Sequence, residues 1–130
     1  MAHSLSDDFQ RKVALLIARN NNILDILTKY QDSCAKVCRT AVKSATGCGC
    51  IKISAQKTPF DINAIKRLSP KELSGTEGSL CPDCKDRLEN EIGESLFYLA
   101  AICNALEMSM KDIMKKEIGN VEILGKYSLR

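Results

Sequence analysis

At 130 residues, with 45% apolar side chains and no Trp, the chain is long enough for one domain with an ordinary core and too apolar for disorder. A formal net charge of +3 is too small to define a nucleic-acid binder, and no apolar run approaches the ~20 residues of a membrane span. Asp7 and Asp8 stand where a secretory leader is apolar, so the expectation is a cytoplasmic protein whose grouped cysteines are metal ligands before they are disulfides.

The first segment is basic and helical. Residues 1–45 carry seven Lys/Arg against four Asp, whereas residues 81–130 carry seven Lys/Arg against nine Asp/Glu, a polarity that suits pairing within the chain or between two copies. Ser6 before Asp7 and Asp8 reads as an N-cap. From Phe9 an apolar stripe continues through Val13, Leu16, Asn20, Ile23, Leu27, Tyr30, Cys34, Val37 and Ala41 in alternating steps of four and three. The pattern predicts a helix over residues 6–46, about 62 Å if unbroken, too long for one small domain to cover. It is either interrupted at Asn20-Asn21-Asn22 or paired with a second chain, where Asn20 fixes register; the reading favours a homodimer. Gly47 is the expected left-handed residue after the helix.

Residues 47–81 read as a connector. Apolar and polar residues alternate around Ile51 and Ile53, predicting a short strand or extended loop, and Asp61 is placed to cap a short helix ending at Leu68. Ser74–Ser79 reads as a flexible loop. Residues 82–124 hold two further helices. The first begins at Pro82 with a stripe of Leu88, Ile92, Leu96, Leu99, Cys103 and Leu106; the second is capped by Ser109 and spans Met110–Ile118, with Gly119 and Gly125 breaking the pattern beyond it. The fold class is therefore all-α, a long helical hairpin or bundle forming a single domain over residues 1–130 with a stapled connector.

The staple is chemical. Cys48 and Cys50 form a CxC, and Cys81 and Cys84 form a CxxC, each pair beside a helix end among glycine, proline and lysine. Two knuckles of two thiolates supply the four ligands of a tetrahedral structural zinc site, with iron–sulfur ligation and redox or packing roles as the alternatives. Cys34 and Cys38, four residues apart on the first helix, read as core residues, as does Cys103. His3 is the sole histidine, so no histidine-based chemistry is expected.

Carboxylates crowd the start of the helix after Pro82. Asp83, Asp86 and Glu89 read as dipole partners on a solvated face, whereas Glu91 and Glu94 stand three apart and can bind Mg²⁺ if a facing helix adds oxygens. Glu91-Ile92-Gly93-Glu94, then Leu96–Ala101, Leu106-Glu107-Met108 and Lys126-Tyr127, resembles the second conserved helix of MazG-like nucleoside triphosphate pyrophosphohydrolases. The resemblance covers about a third of the chain. It implies an all-α oligomer that cleaves nucleoside triphosphates with magnesium bound at Glu91 and Glu94. The chain departs from that pattern in two ways: Glu94 replaces the customary Asp, and the EExxE of the preceding helix is absent, no Glu occurring before Glu72. The alternative is a non-catalytic, zinc-stabilised dimeric interaction or regulatory module. Nucleic-acid binding is disfavoured because Arg11, Lys12, Arg19, Lys29, Lys36, Arg39 and Lys43 read as scattered around the helix with few aromatics beside them.

Overall fold

The computed structural model describes residues 4–17 and 22–127. Asn20 and His3 therefore lie outside the described residues. Six α-helices, one π-helical turn and one two-stranded sheet make up the regular structure of the described residues. Two compact units emerge, one of Met1–Ser33 with Gly93–Arg130, the other of Cys34–Ile92.

In the first unit, α1 (Leu5–Leu16) is capped by Ser4, whose hydroxyl accepts from the Asp7 N–H at 3.2 Å. The cap thus lies two residues before the expected Ser6, with Asp7 and Asp8 in the first turn, where they meet the positive end of the helix dipole. The helix does not continue through residues 6–46. It ends at Leu16, and α2 (Ile23–Lys43) starts afresh, with the Asn22 side-chain oxygen accepting from the Leu24 N–H at 2.9 Å. An Asn that bonds its own backbone offers the chain an alternative to helix, which the apolar periodicity alone did not reveal.

The core of this unit is Val13, Ile17, Ile26, Ala100, Ala101, Cys103 and Met110, with Phe9 and Phe97 packed against it. The last part of α5 (Pro82–Ala105) and the start of α6 (Met110–Tyr127) contribute the small residues and the Met. Between these helices Glu107 takes a left-handed φ of 57°, and the Met108 N–H reaches back to the Cys103 carbonyl at 2.8 Å, closing a Schellman-type turn. Gln10 clamps that turn by donating to the Met108 carbonyl at 2.6 Å and accepting from the Met110 N–H at 2.9 Å. The Ser109 hydroxyl caps α6, as its sequence position predicts, by accepting from the Asp112 N–H at 3.3 Å.

Gly119 and Gly125 do not end α6, which runs to Tyr127. A glycine within a helix weakens it by about 1 kcal/mol without breaking it. Parts of both expected stripes stay exposed: Leu16 is 77% and Leu27 43% accessible, and Ile92, Leu96 and Leu106 are also exposed. Among the described residues no helix is long and apolar enough to cross a membrane.

The second unit is built differently. Across Cys34–Ile92 the one buried residue is Ser44; no apolar side chain reaches that depth. Its strands β1 (Ile51–Ile53) and β2 (Thr76–Gly78) pair antiparallel with Ile51 opposite Gly78, Lys52 opposite Glu77 and Ile53 opposite Thr76. Thr76–Gly78, expected as part of a flexible loop, is thus a strand. The chain between the strands holds two short helices. Asp61 caps α3 (Ile62–Arg67) as anticipated, and α4 (Pro70–Ser74) begins with a reciprocal capping box between Ser69 and Glu72.

Candidate metal centre

The centre is assembled by three local features. At the end of α2 a single π-helical turn, Ser44–Cys48, widens the helix and closes when the Gly49 N–H donates to the Ser44 carbonyl at 2.9 Å. Gly49 takes a φ of 81°, so the left-handed residue is Gly49, not Gly47, and the chain reverses between Cys48 and Cys50. Both thiols are thereby brought to the same side. The hairpin holds the second of them, because Gly78 opposite Ile51 sits so close that a Cβ there would lie 2.7 Å from the Cys50 carbonyl oxygen. The third feature is the start of α5, where Cys81 precedes Pro82 and Cys84 lies within the first turn.

The result is one cluster. The sulfurs of Cys48, Cys50, Cys81 and Cys84 all lie within 4.8 Å of one another, and all four thiols are free. The Cys48 and Cys81 sulfurs are 3.8 Å apart, and Cys50 donates to the Ser44 carbonyl at 3.6 Å. These four side chains can hold a metal ion. Cys34 and Cys38 do not join them. Cys34 is half-buried, while Cys38 is exposed and not the core residue its spacing suggested. Cys103 is buried in the apolar core.

The electrostatics favour a cation. The Cys84 N–H points at the Cys81 sulfur at 3.4 Å from the electropositive start of α5 and holds the Cys81 thiol down at about 7. Cys84 behaves oppositely. A hydrogen bond with Ser44 pulls its thiol down, but Cys81, desolvation and the remaining cysteines outweigh it and push it up to about 12. Cys48 is lowered by Cys84 and raised by Cys81 and Cys50, with a net upward shift. One thiolate forms readily; further negative charge among sulfurs this close needs a positive ion to offset it.

Glu91 and Glu94 fare differently from the cysteines. Glu91 lines a cavity of about 580 Å³ in the second unit with Lys36, Arg39, Lys43 and Arg87. Its Oε2 is buried without a hydrogen-bond partner. Glu94 belongs to the first unit and is half-buried. Among the described residues neither carboxylate belongs to a group of three or more metal-ligand side chains. The cavity brings together cations that read as scattered in the sequence. Lys36, Thr40 and Lys43 recur at four- and three-residue steps on α2, and Cys84, Arg87 and Glu91 do so on α5. Those spacings were the available signal, hidden because the two sets lie more than forty residues apart.

Comparison with protein-family models, with curated proteins and with solved structures returns no match.

Proposed function

We propose that the chain is a zinc-stabilised helical binding module that acts as a homodimer, not a catalyst. The observation that carries this reading is the four-sulfur cluster inside a unit with no apolar core of its own. A regular tetrahedron with Zn–S bonds of about 2.3 Å has S···S edges of about 3.8 Å, the separation between Cys48 and Cys81. Metal at this site joins the end of α2, the hairpin and the start of α5, and contributes directly to folding, as a staple does in domains too small to bury enough apolar surface.

Self-association is supported by the exposed apolar side chains of Leu5, Leu16 and Leu24 and by the opposite charge balance of residues 1–45 and 81–130. Native mass spectrometry should find one zinc per chain and a two-chain species, and chelation should unfold Cys34–Ile92. A folded, metal-free monomer indifferent to chelators would overturn the proposal.

The pyrophosphohydrolase reading rests on Glu91-Ile92-Gly93-Glu94 and gains no third carboxylate among the described residues. Magnesium-dependent release of pyrophosphate from nucleoside triphosphates would place it first.

A further inference from the structure

The basic cavity beside the cysteines has features that a metal staple alone does not need. Arg39, Lys43 and Arg87 converge on it from two helices, and among the described residues none of the three has an acidic partner within ion-pair distance. A lysine on a helix can meet a carboxylate one turn away; Lys12 and Lys29 do so here, meeting Asp8 and Asp25 at 3.1 and 2.9 Å. A zinc tetrathiolate carries a net charge of about −2, which could recruit cations for itself. Yet among the described residues no hydrogen bond joins Arg39, Lys43 or Arg87 to a cysteine sulfur. They face open volume of a size typical for small-molecule sites.

Within the same cavity Glu91 presents the opposite need. Its buried Oε2 lacks a donor, and a buried acceptor left unpaired is costly. The terminal torsion of Glu is broad, so a turn of the carboxyl group can bring that oxygen toward the cavity. A ligand that satisfies both sets offers an anionic group to the arginines and lysine and a hydroxyl to Glu91. Arg87 and Glu91, one turn apart on α5, would grip neighbouring parts of the same molecule. Among the described residues no aromatic ring lines the cavity, so they provide no surface for stacking a base.

We infer that this cavity is a binding site for a small phosphorylated molecule bearing hydroxyl groups, held by Arg39, Lys43 and Arg87 at its phosphate and by Glu91 at a hydroxyl. The inference rests on the module reading, because the end of α2 and the start of α5 that form the cavity are the segments the metal joins. Phosphate is favoured over carboxylate because guanidinium groups from two helices suit a tetrahedral, multiply charged anion.

The test is calorimetric titration of the zinc-loaded full chain with glucose 6-phosphate, inorganic phosphate, glucose and ATP in separate arms. Saturable binding of glucose 6-phosphate and phosphate, with none of glucose, is expected. The Arg39→Gln/Arg87→Gln variant should weaken both by about tenfold or more, the equivalent of one lost charge-assisted hydrogen bond. Glu91→Gln should weaken glucose 6-phosphate relative to phosphate, because only the sugar ester needs the carboxylate. Absence of saturable phosphate binding, unchanged affinity in the double variant, or ATP binding more tightly than the sugar phosphate would overturn the inference. Zinc content and circular dichroism on the same samples separate the two readings. Zinc retained without phosphate binding refutes the cavity alone, whereas a folded chain without zinc refutes the module.

Discussion

Gly78 and Gly49 form a matched pair on which the coupling between hairpin and metal can be measured. Their φ angles are 84° and 81°, so an alanine at either site meets the same left-handed penalty of about 1–2 kcal/mol. The surroundings differ. An alanine Cβ at position 49 would meet nothing within 4 Å, whereas at 78 it would lie 2.7 Å from the Cys50 carbonyl oxygen and 3.6 Å from the Ile51 Cα. Both neighbours are backbone and cannot swing aside as a side chain would. Relieving the contact pushes β1 from β2 and displaces Cys50, a further cost of roughly 1–3 kcal/mol by analogy with overpacked interiors. On the zinc reading metal binding and folding of the second unit are coupled, so the added strain should be read out as lost zinc affinity. Competition with a chromophoric chelator should show Gly49→Ala weakened by about 5–30-fold and Gly78→Ala weakened by at least about fivefold more. Cobalt substitution should show a distorted tetrahedral spectrum only in Gly78→Ala. Equal affinities for the two variants would refute the claim that the hairpin positions Cys50.

Replacing Cys81 by Ser should abolish stoichiometric zinc and strip amide-exchange protection from Cys34–Ile92, while amides near Ile26 and Ala100, within the apolar core, keep more of theirs. In a brief pulse directly after rapid chelation, before Cys34–Ile92 unfolds, iodoacetamide should modify Cys81 before Cys84, since their thiols sit at about 7 and about 12; peptide mass spectrometry reads the order directly. The lowered Cys81 thiol contributes stability that is present above pH 9 and lost as pH falls through about 7, whereas the raised Cys84 thiol contributes stability present below pH 9 and lost as pH rises through about 12, so their combined contribution peaks near pH 9. Glu107→Gly should raise the melting temperature, because it removes a left-handed strain of about 1–2 kcal/mol against a glycine entropy cost of roughly 0.5–1 kcal/mol. A fall in melting temperature would show that the Glu107 side chain contributes more than the turn it strains.

The convergence of Cys48, Cys50, Cys81 and Cys84 was legible because a CxC and a CxxC are local patterns that need only two tight turns to come together. The short helix after Asp61, the start of α5 at Pro82 and the Ser109 cap were legible for the same reason, each being a capping or turn preference a few residues long. The interruption between Leu16 and Ile23 was one of the two readings of the Asn20-Asn21-Asn22 run, and it was not singled out because apolar residues keep helical spacing on both sides of it. Gly119 and Gly125 misled in the other direction, since propensity lowers helix stability without fixing where a helix stops. The cavity around Arg87 and Glu91 needed three-dimensional placement, because its two walls come from helices separated by the whole connector.

Ser44 is the deepest side chain of a unit without apolar filling, and its carbonyl receives both Gly49 and Cys50. On the zinc reading, what other domains obtain from hydrocarbon this one draws from solution, so its stability follows the logarithm of available metal. Scarcity would then act on this chain as heat acts on an ordinary domain, melting Cys34–Ile92 and dismantling the basic cavity while the cell remains at its working temperature.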